Sequence, residues 1–334
     1  MRSFLLEYTK REEEDVTSKT DKTENVDIHV NLWCMNSQKS EDTPRFFLDF
    51  GFMINDISNI NHIILYCPFS VKRVEDLGKC LFKNNNLIEA IFNETCEVTG
   101  NIHPNRIKVI KKGDDFKSSQ SSDGFIVYKL RESLIKISNN DGYGRIEITL
   151  GNILSGNESK VSSLSDKKYY FRIRITPSKD DIEILKRENE KINLLQDSSL
   201  RTTEIIDFRI NDFRSIIDDL REEAFRLNTF NISSIHYLIM RDATDEFISG
   251  HNEYKSRVLE KKVWEEYISL NSGDIIAYHF KKVCDGDKFI SSFTNLSRFK
   301  YPLNTKERII WYVVVIIAMS VGANWLSSLL TKIF

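Results

Sequence analysis

Val26-Asp27-Ile28-His29-Val30-Asn31-Leu32 sets apolar and polar residues in strict alternation. A period of two puts every apolar side chain on one side of an extended chain, so the stretch predicts a half-buried β-strand. The same reading extends outward. Residues 45–54 place Phe46, Leu48, Phe50 and Phe52 on one face, and 61–67 form a compact apolar run closed by Pro68. Helical spacing intrudes at Val74, Leu77 and Leu81, so a short helix is expected within 74–82. Residues 125–128 and 133–137 read as strands, and 133–137 lead into Asn139-Asn140-Asp141-Gly142. An Asp-Gly pair supplies the positive φ angles of a tight hairpin, which returns through 145–150. Along 169–175, Phe171, Ile173 and Ile175 point inward while Arg172 and Arg174 point to water. Residues 26–177 therefore predict an antiparallel β-sandwich or barrel, with exposed loops at 113–124 and 155–165.

Around this block the pattern changes. Residues 1–25 are charged after a Phe4-Leu5-Leu6 patch and read as a flexible N-terminal arm. Ser178-Lys179-Asp180-Asp181 resembles a capping box, and Ile182, Leu185, Ile192 and Leu195 recur at helical spacing, so 178–200 predict a linking helix. In 201–306, strands at 203–210, 232–240, 275–283 and 289–293 alternate with helices at 213–227 and 254–268. The expected fold class is α+β, with an N-terminal antiparallel β-sandwich, a C-terminal α+β domain and one C-terminal transmembrane helix.

That last helix is read from 309–330, IIWYVVVIIAMSVGANWLSSLL, which contains no charged residue. As a helix it would measure roughly 33 Å, enough for a hydrocarbon core of about 30 Å. Lys306, Glu307 and Arg308 precede it, and Trp311, Tyr312 and Trp325 sit near its ends, where amphipathic rings favour headgroups. The expectation is a tail anchor over 307–330 with a short tail at 331–334. The bulk of the chain is then cytoplasmic and the lipid bilayer is a partner. Ala318 and Gly322 form a small-x-x-x-small pair, and Ser320, Asn324 and Ser328 recur every four residues. Such a face lets helices approach closely and pairs polar groups, so these five residues are candidates for helix self-association into a homo-oligomer.

The 334 residues carry 29% charged and 41% hydrophobic residues and a net charge of −2, a globular balance that argues against a stable nucleic-acid partner. Five cysteines without C-x-x-C spacing argue against a disulfide framework or a zinc ribbon. Six scattered histidines form no metal-ligand motif, and there is no nucleophile elbow, phosphate-cradling loop or dinucleotide fingerprint. Asp114-Asp115 and Glu158-Ser159-Lys160 fall in expected loops. No catalytic residue, metal or cofactor is therefore expected. The candidates for ligand contact are basic. Arg145, Arg172 and Arg174 are expected to face outward from strands and Lys167 and Lys168 stand at a strand mouth, a set suited to a phosphate.

At the level of architecture, soluble β-rich and α+β regions ahead of one terminal membrane helix resemble the membrane effectors of bacterial antiviral defence. The resemblance implies that the soluble part senses a nucleotide or protein trigger and that assembly of the helices disrupts a membrane. The alternatives are a membrane-tethered enzyme acting on nucleic acid or nucleotide, and a passive membrane scaffold.

Overall fold

A computed structural model describes residues 2–11, 23–35, 46–112, 124–151, 153, 167–189, 201–268, 274–302 and 306–333. Apart from Gly124, the loops expected at 113–124 and 155–165 lie outside these residues. So do Asp114-Asp115, Glu158-Ser159-Lys160 and 190–200 of the expected linking helix.

Strand β1 (Leu5–Lys10) leads to β2 (Asn25–Cys34), β3 (Phe46–Ile54), β4 (Ile60–Cys67) and β5 (Val71–Asp76). Two short helices follow, α1 (Gly78–Lys83) and α2 (Asn85–Phe92). Asn84 caps α2, its side chain accepting from the Leu87 N–H at 3.3 Å. Next come β6 (Cys96–His103), β7 (Arg106–Lys111), β8 (Gly124–Tyr128), β9 (Ile135–Asn140), β10 (Tyr143–Thr149), β11 (Tyr169–Pro177) and β12 (Lys186–Asn189). Gly142, at φ +80, makes the β9–β10 turn that the Asp-Gly pair predicts. The chain continues as β13 (Arg201–Ile210), α3 (Asp218–Ala224), β14 (Asn228–Thr229), β15 (Asn231–Asp242), β16 (Glu246–Gly250) and β17 (Lys255–Val258). It ends with α4 (Lys261–Ile268), β18 (Ile275–Val283), β19 (Phe293–Pro302) and α5 (Lys306–Ile333).

These strands build three sheets. The largest has ten strands, along the path β17-β18-β15-β2-β3-β11-β8-β7-β6 with β5 pairing β11. A five-stranded sheet runs β14-β1-β4-β10-β9 and a four-stranded sheet β12-β13-β19-β16. One core fills the space between them. Val26, Ile28, Val30 and Leu32 of β2 meet Ile63 and Leu65 of β4, Ile146 and Ile148 of β10, and Ile206 and Phe208 of β13. The alternation in 26–32 thus points as expected. A second apolar cluster covers the other side of the large sheet, where Leu81 of α1, Leu87 and Ile88 of α2, and Trp264, Tyr267 and Ile268 of α4 lie on Trp33, Tyr170 and Met240. A third seats Leu220 and Ala224 of α3 on Leu5, Ile64 and Tyr66 of the five-stranded sheet.

The expected fold class is corrected in three respects. The chain is mostly β, with 54% strand and 23% helix, rather than α+β. Its first and later parts share one sheet, because β2 pairs in parallel with β15, His29 opposite His236 and Val30 opposite Tyr237. That pairing joins residues about two hundred positions apart and leaves no local periodicity to read. Third, no helix among the described residues is long and apolar enough to cross a membrane. The expected span at 309–330 falls on α5, where the polar Ser320 and Asn324 interrupt the apolar run and would be costly in hydrocarbon. The expected single-pass, tail-anchored localisation is corrected with it.

Smaller differences have local causes. Leu5–Lys10, expected within a flexible arm, is a strand held between β14 and β4. The expected linking helix begins as a 3-10 turn over Lys179–Ile184 and then becomes β12, which pairs with β13. The helix expected over 254–268 is β17 followed by α4, because Lys255 to Val258 find backbone partners on β18. All five cysteines are unbridged.

Candidate functional site

Alternation along β11 puts Arg172 and Arg174 on the side of the large sheet away from the sandwich core. Helices cover that side, so neither faces water: Arg172 is fully buried and Arg174 12% exposed. Their counter-charge is Asp49 on β3, opposite Arg174 in register and itself fully buried. Asp49 Oδ1 accepts from Arg174 Nε at 2.7 Å. Its Oδ2 accepts from Arg174 Nη2 at 3.1 Å and from Trp33 Nε1 and Tyr267 OH at 2.8 Å each. Arg174 also lies over the Phe47 ring, 4.2 Å from its centroid.

Arg172 donates through Nε to Tyr267 OH at 2.7 Å and through Nη1 to Tyr170 OH at 2.8 Å. Burial alone would push its pKa down, but the oxygens of Tyr170, Tyr267 and Asp49 more than reverse this and hold it charged. Tyr170 fits because β3 has Gly51 beside it; a side chain there would run into the phenol. From Tyr170 OH the polar path reaches His29 Nδ1 at 3.5 Å, then the rings of His236 and His279 on β15 and β18. Burial pushes the His29 pKa well down, with His236, Arg172, Lys111 and His279 adding to the effect. His236 is lowered to about 4, first by burial and then by His279 and by Lys281 and Lys111. These imidazoles are neutral at pH 7.

Within this cluster the charges are paired with one another in the interior. Cys34 is buried beside Arg241 and Glu204, and burial pushes its thiol up to about 12, so it is no nucleophile at neutral pH. Arg241 ties the large sheet to the four-stranded one, donating to Glu204 Oε1 at 2.8 Å and to Asp245 Oδ2 at 2.7 Å. Among the described residues no group of three or more His, Cys, Asp or Glu could hold a metal ion. A cavity of about 530 Å³ opens beside Tyr8, Asn211, Asn228, Phe230 and Phe289, and none of its lining residues is charged.

Of the basic residues singled out from the sequence, only Arg172 and Arg174 are brought together. Arg145 lies on β10 in the other sheet, half-buried near α3, paired with Glu147 and over the Tyr66 ring. Lys167 is exposed and Lys168 half-buried at the start of β11, where the Lys168 carbonyl accepts from the Ile126 N–H at 2.8 Å. On α5, Ala318, Ser320, Gly322, Asn324 and Ser328 are all exposed, and a Cβ at Gly322 would meet nothing within 4 Å. Sequence reasoning missed Asp49, Tyr170, Tyr267 and the three histidines. Asp49, Tyr170 and the histidines sit on the strand sides away from the sandwich core and Tyr267 on the buried side of α4, but the register that joins them has no local signal.

No family model matches the chain, and no curated protein does. Among solved structures it is similar to the yeast delta-COP-I mu-homology domain complexed with Dsl1 WxWxV peptide. Identity is 10%, over 87% of this chain and 79% of that one, with a TM-score of 0.22. At that score the likeness carries no argument about fold, ligand or partner.

Proposed function

We propose that this protein is an assembly module, a β-sandwich body that receives a ligand or partner and a terminal helix, α5, through which copies associate. The observation that carries this reading is the exposure of apolar side chains on α5, with Ile310 at 62%, Ile317 at 57%, Val321 at 63% and Trp325 at 72%. Contiguous apolar surface of this kind marks an interaction site, since leaving it in water forfeits about 25 cal/mol for each Å² that could be buried. A second copy is the occupant because one side of the helix admits a neighbour closely through Ala318 and Gly322, while the opposite side carries Ser320 and Asn324 to pair with another. Ile316, Ile317, Met319 and Val321 are exposed at consecutive or near-consecutive positions, so the apolar surface goes round the helix. A dimer would cover one side only, which favours bundles of three or more. Binding of a ligand or partner to the sandwich triggers this assembly.

The test is sedimentation velocity of the full chain beside Ile317→Glu/Val321→Glu. Both positions are exposed on α5, so the charges leave the sandwich intact. The wild type should sediment as an oligomer and the double variant as a monomer with unchanged circular dichroism in the β region. Identical distributions would refute the proposal.

A further inference from the structure

Four neighbouring strands of the large sheet carry a row of imidazoles and ammonium groups on the helix-covered side. His29 on β2 is in register with His236 on β15, and His236 with Lys281 on β18. Lys255 on β17 is in register with His279 on β18. Directly opposed residues share a face of a sheet, so all five side chains project the same way. His236 Nδ1 and His279 Nε2 are 3.2 Å apart, with their rings stacked at 5.2 Å. The His29 ring lies 5.0 Å from that of His236 and 5.2 Å from Phe92 at the end of α2. Arg257, two residues along from Lys255, is steadied by Asn93 Oδ1 at 2.8 Å and the Ala90 carbonyl at 3.1 Å. Lys255 and Lys281 are exposed, His236 and His279 half-buried and His29 buried, so the row descends from solvent into the sheet.

The charges that act on these imidazoles are Arg172, Lys111, Lys281, Lys255 and Arg257, all of one sign. Among the described residues three carboxylates lie at the edge of the row and each is already engaged, Asp49 by Arg174 and Arg172. Asp27 accepts from Ser234 Oγ at 2.8 Å, and Glu94 holds Lys111 at 2.8 Å. Like charges set on neighbouring strands repel and cost stability. A multivalent anion would turn that repulsion into attraction, and the imidazoles would pass from weakened bases to N–H donors.

We propose that this row is a binding site for the phosphoryl groups of a small ligand, with Lys255, Lys281 and Arg257 meeting the anionic oxygens and His236 and His279 donating to them. The proposal supplies the ligand half of the function above, and its readout does not depend on association through α5.

Isothermal titration of the full chain with inorganic pyrophosphate and with ATP tests it. Binding of both at similar affinity assigns the phosphate chain itself, and binding of ATP alone assigns a nucleotide. In either case Lys255→Ala/Lys281→Ala should weaken binding at least tenfold, and the ring resonances of the His236–His279 pair should shift on saturation by the uptake of a single proton, since their facing nitrogens 3.2 Å apart hold one hydrogen between them. Lys282→Ala is the control, because Lys282 is in register with the core residue Ile235 and donates to the Ser292 carbonyl. Failure of both ligands to bind would overturn the proposal. So would equal binding by the double variant, or an equal loss from Lys282→Ala.

Discussion

Arg174 grips Asp49 with two parallel hydrogen bonds, Nε to Oδ1 at 2.7 Å and Nη2 to Oδ2 at 3.1 Å, beneath helix α4. Asp49 is also the counter-charge for Arg172, whose Nη2 lies 4.0 Å from Oδ2. Removing one partner of a buried ion pair leaves an uncompensated charge, which costs roughly 3–5 kcal/mol. Asp49→Asn should therefore lower the unfolding free energy by that amount in urea denaturation. A loss under about 1 kcal/mol, the worth of an ordinary hydrogen bond, would mean that the arginines are neutralised elsewhere.

Glu7 on β1 is fully buried opposite Ile64, and among the described residues neither carboxylate oxygen has a hydrogen-bond partner. Burial, with Glu223 adding to it, raises its pKa from 4.5 to about 8. Below pH 4.5 the group is protonated folded or unfolded and carries no cost of ionisation. Between 4.5 and 8 only the folded state holds the proton, so stability falls as pH rises, and above 8 it levels off. Glu7→Gln should flatten that slope and stabilise the protein at pH 8 by on the order of 3 kcal/mol. Thermal unfolding across pH 4–9 measures it, and parallel curves for wild type and variant would contradict this reading of Glu7.

Tyr170 occupies the space where a side chain at residue 51 would begin. Gly51→Ala should cost about 1–3 kcal/mol through overpacking. Because the clash belongs to a single ring, Gly51→Ala with Tyr170→Ala should cost less than the two separate losses added together. Additive losses in a double-mutant cycle would place the strain elsewhere.

Much of this architecture is legible in the sequence wherever one face of an element is apolar. The alternation of 26–32, the phenylalanines of 46–52 and the Asp141-Gly142 turn each gave an element that the fold contains. Leu5–Lys10 was missed because Glu7 and Thr9 break the apolar pattern, although Glu7 is buried. Alternation also put Arg172 and Arg174 on the correct side of β11, yet a strand pattern does not say whether that side meets water or helices. Here α4 brings Tyr267 onto it. The histidine row is hidden for a related reason: each imidazole is unremarkable in its own strand, and only the β2–β15–β18 register sets the three together.

Association through α5 is tested most directly by the native mass of the purified full chain, measured by light scattering over a hundredfold concentration range. A mass of at least three chains that persists on dilution to the micromolar range is expected. The mass of a single chain at every concentration, with α5 intact, would contradict it.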